Sequence, residues 1–244
     1  MSAYNRSAYD DMHAGIRTRA VDLKTNAGQK LLQRELARVD VLLTSFRPSA
    51  LTKLGLAWKD LHQRYPALSL VAIVGAPGEL AEIAGHDLTY QAENDLVTDL
   101  NLPPTLYADM GGALMASEAV LQAVLLQRQQ GTGSRFEVAL SDSAAFLALP
   151  RTWGATAPQS LLGGSHAGYR VYPCRDGRVA LAALEPHFAH TLCQVAGIVW
   201  QGSATMLEPN THRDVAAFLA GRSCAELAAL ASARDIPLHT LPDQ

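Results

Sequence analysis

The sequence predicts an α/β protein: a large domain built on a partial Rossmann-like parallel sheet, followed by a smaller α+β domain. Three observations carry this. Two short apolar runs, residues 39–43 and 68–74, flank a helical pattern, the arrangement of a parallel βαβ crossover. Gly, Ser, Ala and Pro are frequent from 152 to 168, as in a passage between domains. A hairpin signal then opens a second unit. The expected division is a large domain over 1–155, a linker over 156–168 and a small domain over 169–244.

The elements follow in order. Leu31, Leu32 and Leu36 recur at helical spacing within 26–38, and the run Val39-Asp40-Val41-Leu42-Leu43 reads as a buried strand. Ser49 offers a cap to a helix whose apolar face is Leu51, Leu54, Leu56, Trp58 and Leu61, with Pro66 closing the segment before the strand at 68–74. Residues 75–85 lack periodicity and read as a loop at the carboxyl end of that strand, where ligands gather in open α/β sheets. After Pro103-Pro104, residues 110–129 form a strongly apolar helix, apolar on most faces and therefore expected to be buried. Gly131 and Gly133 end it, and 136–140 alternates into a strand. In the small domain, 169–173 and 178–182 are strands joined through Arg175-Asp176-Gly177, with Asp-Gly at the turn. Helical patterns follow at 186–196, 213–220 and 224–233.

Composition sets limits. At 244 residues and 48% hydrophobic content the chain can bury a substantial core. A net charge of −3 with dispersed Arg and Lys gives no footprint for nucleic acid. The polar amino terminus resembles neither a signal nor a transit peptide, and no run approaches the ~18 uninterrupted apolar residues of a membrane span. The expectation is therefore a cytoplasmic protein with no membrane or nucleic-acid partner. Cys174, Cys193 and Cys224 are an odd number without a CxxC pair, and read as small buried hydrophobes with no metal centre.

Three acid/base groups fall at element ends. Gly85-His86-Asp87 taken alone is a weak signal, more often a surface pair or a cap. Asp109 precedes Gly111-Gly112 at the start of the apolar helix, where the dipole and free amides favour an ionised carboxyl, although simple capping explains it equally well. Glu185 ends a strand and precedes Pro186, which can begin a helix. Together they form the parts list of a proton-transfer site.

Larger segments carry a resemblance. They are Ala20-Val21-Asp22-Leu23-Lys24, Ser45-Phe46-Arg47-Pro48 with Leu54-Gly55-Leu56, and Gly85-His86-Asp87-Leu88-Thr89-Tyr90-Gln91-Ala92. They continue through Ala108-Asp109-Met110-Gly111-Gly112-Ala113-Leu114, Gly131-Thr132-Gly133 and Ala182-Ala183-Leu184-Glu185-Pro186-His187-Phe188. In this order, from about residue 12 to 240, they resemble the family III CoA-transferases of the CaiB/BaiF type, the superfamily that also contains the α-methylacyl-CoA racemases.

The resemblance implies the family III fold and coenzyme A as part of an acyl-CoA substrate. It also implies catalytic roles for Asp109, His86 and Glu185, and CoA contacts from Arg17, Arg47, Asp87, Tyr90, Gly111 and Gly112. In transferases the matching aspartate is a nucleophile that forms a mixed anhydride and then a thioester. In racemases it is one of two bases flanking the α-carbon, opposite the histidine matching His86, with the glutamate matching Glu185 supporting that histidine. Having both His86 and Glu185 tilts the expectation to racemisation of a 2-methylacyl-CoA. CoA transfer between carboxylic acids through Asp109 is the alternative, and a catalytically impaired acyl-CoA-binding protein is a second. Backbone amides of Met110, Gly111 or Gly112 are the expected oxyanion donors.

Relatives form interlocked homodimers, which would bring Glu185 of one subunit to Asp109 of the other. They usually carry a further strand, glycine-rich turn and helix ahead of the segment matching 20–24, and a closing segment beyond 244. The expectation is a chain shortened at both ends that lacks the first βαβ. It would be a compact variant, one of two complementary polypeptides, or a degenerate remnant.

Overall fold

The structure is a computed structural model in which residues 5–243 are described. It divides into two compact units, Met1–Leu147 and Ala148–Gln244.

In the first unit, α1 (Arg6–Met12) begins at Asn5, whose side chain accepts the Ala8 N–H. Thr25 likewise caps α2 (Asn26–Leu36), accepting the Gly28 N–H at 3.1 Å. Next come β1 (Val41–Thr44), α3 (Pro48–Lys53), α4 (Trp58–Arg64) and β2 (Ser69–Val74). The crossover is two helices where the pattern suggested one, because Gly55 takes a left-handed φ of 71° between them. Ser49 is not the cap: Pro48 starts the helix, and Ser49 instead donates its N–H (2.6 Å) and hydroxyl (2.8 Å) to the Glu82 carboxylate. A 3-10 turn, Gly78–Glu82, lies in the loop after β2. Then follow α5 (Asp87–Glu93), α6 (Tyr107–Gln130), β3 (Arg135–Ala139) and α7 (Leu140–Leu147).

The sheet order is β1-β2-β3, all parallel, with Val41 opposite Ser69 and Leu70 opposite Arg135. Successive residues of a strand face opposite sides. Leu70 accordingly packs with Leu36, Leu51, Leu56, Leu61 and Leu68, whereas Val71 packs with Ala116, Ala119, Ala123 and Val138. The two faces are thus covered by α2–α4 and by α6.

Helix α6 departs from expectation. Its buried face is a line of small residues, Ala108, Gly112, Ala116, Ala119 and Ala123. Met110, Leu114, Leu121 and Leu125 lie exposed on the opposite face. Close approach to the sheet needs small side chains, so the large apolar ones were left for the outer side. By length and composition alone this helix could cross a membrane, but its small-residue face packs on the sheet.

The second unit contains α8 (Leu149–Thr152), a π turn at Leu161–Ser165, β4 (Tyr169–Cys174), β5 (Gly177–Ala182) and α9 (Pro186–Ala196). It continues through a 3-10 turn (Ser203–Leu207), α10 (Pro209–Ala220), α11 (Cys224–Arg234) and β6 (Leu238–Pro242). The sheet is antiparallel in the order β4-β5-β6. Cys174 pairs with Gly177, so the hairpin turn is Arg175-Asp176 and not Asp-Gly. Val179, Leu181, Leu192, Met206, Val215, Leu219 and Leu227 fill the core under that sheet. Cys193 fits the expected buried hydrophobe, 3.6 Å from the Met206 sulfur. Cys174 is only half-buried, and its Sγ lies 3.5 Å from that of Cys224.

Candidate active site

The carboxyl ends of the parallel strands open onto a small cavity of about 180 Å³. It is lined by Ser45 and Arg47 after β1, Gly75 after β2, Leu140 after β3, and Gly85 and Tyr90. Tyr90 is buried between two glycines: a Cβ on either Gly75 or Gly85 would collide with its hydroxyl. These glycines therefore admit a ring where any other residue would exclude it. Burial, the Asp109 charge and the Glu93 charge push the Tyr90 phenol upward, and Arg47 partly offsets them.

His86 is the N-cap of α5 and is exposed. Its backbone N–H donates to the Thr89 hydroxyl oxygen at 3.1 Å, and that hydroxyl donates to the His86 carbonyl at 2.8 Å, which fixes the backbone from which the ring projects. Asp87, next in the chain, is buried. One of its oxygens accepts the Asp109 backbone N–H at 3.0 Å and the other accepts the Gln91 side-chain amide. Asp87 thereby ties the start of α5 to the start of α6.

Asp109 occupies the first turn of α6, three residues after the N-cap Leu106, and is half-buried. It is not the cap. Burial and then the Asp87 carboxylate hold its pKa above the usual range, while the His86 charge pulls it down. His86, Asp87, Tyr90 and Asp109 therefore act on one another at one corner of the unit, with Arg47 beside Tyr90.

The oxyanion expectation needs correction. The Met110 N–H donates to the Leu106 carbonyl at 2.9 Å, and Gly111 and Gly112 lie further inside the helix. A Cβ on Gly111 would strike Ser143 Oγ and one on Gly112 would strike Leu140, so the structure uses both glycines to seat α6. Amides without an intrahelical partner belong to the first turn, at Tyr107 and Ala108.

Arg17 lies elsewhere, in a recess it shares with Arg19, Leu31 and Glu35. There Arg19 pairs with Glu35 at 3.8 Å. Glu185 belongs to the second unit; it is the exposed N-cap residue of α9, and its carboxylate makes no capping bond.

The model of the family described as CoA-transferase family III matches residues 2–243. The chain belongs to that family. Among curated family III relatives, the mouse (Mus musculus) α-methylacyl-CoA racemase is 31% identical over 202 residues, covering 75% of this chain and 53% of the relative. A succinate–glutarate CoA-transferase of Agrobacterium fabrum is 26% identical over 205 residues, covering 78% and 51%. The chain thus spans about half the length of the curated relatives it matches. Of solved structures, a hypothetical protein from Mycobacterium tuberculosis aligns with a TM-score of 0.77 at 22% identity, over 91% of this chain and 68% of that one. A CAIB/BAIF family protein from Brucella suis aligns at 0.76 and 19% identity, over 93% and 66%. These two likenesses establish the family III fold.

Sequence reasoning missed Gln91 and the glycine slot around Tyr90. Gln91 lies four residues after Asp87 on one helix face, a spacing that offered a signal. The meeting of Gly75 with Tyr90 left none, because it depends on the path of the intervening loop.

Proposed function

We propose that this family III chain is an acyl-CoA enzyme that removes and returns the α-proton of a 2-methylacyl-CoA thioester. His86 and Asp109 are the two bases. The observation that carries the reading is Asp109 itself: a half-buried carboxyl whose pKa is raised by burial and by Asp87, within reach of the His86 charge. A raised pKa makes the ionised carboxylate a stronger base. One group takes the proton from the α-carbon while the other, protonated, returns it from the opposite face. Charge developing on the thioester oxygen would be met by the first-turn amides of α6, aided by the helix dipole. Arg47, which lines the strand-end cavity, supplies a cation for CoA phosphates. Glu185, expected from the family resemblance to support His86, would reach it in a pair of chains.

The test is incubation of the full chain with a chiral 2-methylacyl-CoA in heavy water. Deuterium at the α-carbon and loss of optical purity are expected, and a substrate that stays unlabelled overturns the reading. A second reading is favoured by the similarity to the Agrobacterium CoA-transferase, which covers 78% of this chain. Asp109 would then attack the acyl-CoA carbonyl and expel CoA thiolate, leaving an anhydride. Hydroxylamine should cleave that anhydride at the Asp109 carbonyl, leaving Asp109 as its hydroxamate and releasing the acyl group as a carboxylate, and an unmodified Asp109 would exclude transfer.

A further inference from the structure

Cys174, Asp176 and Cys224 lie in the second unit and play no part in the acyl-CoA chemistry. Their ligand atoms all lie within 4.8 Å of one another. Cys174 ends β4, Asp176 is in the hairpin turn, and Cys224 is the first residue of α11, so the three come from separate elements.

The folded unit fixes their positions independently of any ligand. The Cys224 N–H donates to Asp176 Oδ1 at 2.6 Å, and the Arg175 N–H donates to the Arg222 carbonyl at 2.8 Å. The Arg175 guanidinium pairs with Glu226 at 3.0 Å, and Glu226 in turn closes a capping box with Ser223.

We propose that Cys174, Cys224 and Asp176 form a binding site for a thiophilic divalent cation of the zinc class, with solvent completing the coordination. The sulfur separation of 3.5 Å is the first argument. Two thiolates on one tetrahedral ion at ~2.3 Å stand roughly 3.8 Å apart, so a few tenths of an ångström suffices. A disulfide would need the sulfurs to close to about 2.05 Å. The second argument is the donor set: two soft sulfurs and a carboxylate in one cluster suit a borderline-soft cation. Asp176 is exposed and Cys174 half-buried, so an ion has access from solvent. Binding converts two thiols and one carboxylate to ligands and releases two protons to solvent.

Co²⁺ serves as the spectroscopic probe, added to the full chain kept reduced with a phosphine. One ion per chain is expected, with a sulfur-to-cobalt charge-transfer band. Once the phosphine has been removed under anaerobic conditions, two of the three thiols should resist a disulfide reagent that modifies them in the metal-free protein. Cys174→Ser and Cys224→Ser should each abolish the band, and Asp176→Asn, which retains an oxygen to accept the Cys224 N–H, should weaken binding at least several-fold. No band with the reduced chain, or a band that survives either serine variant, overturns the proposal. Should a serine variant fail to fold, shielding of two thiols in the unmodified chain supports the site, and shielding of none refutes it.

Discussion

Asp109 and Asp87 form a linked pair, since the buried Asp87 both holds the Asp109 backbone and raises its carboxyl pKa. Asp87→Asn keeps an oxygen for the Asp109 N–H but removes the like charge. The acid limb of the pH–kcat/KM profile should therefore move to lower pH, and a limb that does not move would remove Asp87 from this role. Asp109→Asn should cost about 10²–10⁴-fold in α-proton exchange. Stability should move the other way. A carboxyl whose folded pKa is raised holds its proton more tightly folded than unfolded, so its ionisation penalises the fold fully above the raised value and not at all below the ordinary 3.8. Asp109→Asn should then melt higher than wild type at pH 7, with the gain vanishing on acidification. The residue identities were legible in the sequence because they sit in long motifs. Their coupling was not, because the contact from Asp87 to the Asp109 amide depends on how the chain returns between α5 and α6.

Elements defined by apolar runs were legible, and those defined by a conformation or a close approach were not. The strands around 41–44 and 69–74 follow from their residues, whereas β6 has Pro237 ahead of it and no clean alternation, so only its pairing with β5 reveals it. Gly133 shows how an approach decides packing. A Cβ there would collide with the Leu68 carbonyl, which is backbone of the turn into β2. Gly133→Ala should cost on the order of 1–3 kcal/mol in denaturant unfolding, since backbone cannot yield as a side-chain tip can. In the second unit, the segment before β4 is pinned by the Gly168 N–H donating to His166 Nδ1 at 3.1 Å and by the Ala167 N–H donating to the Met206 carbonyl at 2.8 Å. Burial, with help from His212, holds the His166 pKa below 6.5. The unfolded chain therefore takes up a proton first, so this stability is present above pH 6.5 and is lost as pH falls through the lowered value. Melting temperature should drop over that range, and His166→Gln should flatten the drop.

At the scale of the whole molecule, the outer face of α6 is decisive. Leu114, Leu121 and Leu125 are 74%, 66% and 59% exposed and share one helix face with Met110, with the exposed Ser117 between Leu114 and Leu121. Composition could not separate this face from the buried one, because alanine and leucine both count as apolar, and only the need for a close fit to the sheet assigns them. Covering a leucine contributes about 1.5–3 kcal/mol, and monomers rarely leave such faces in water. The prediction is that a second copy of the chain covers this face across a two-fold axis, where the same residues would serve both partners. Sedimentation of the full chain should therefore give the mass of two chains. Leu121→Glu, with no buried contact to lose in the isolated chain, should shift it to one while leaving the circular dichroism of the fold unchanged. If wild type already sediments as a single chain, or if Leu121→Glu leaves the two-chain mass intact, pairing through α6 is excluded.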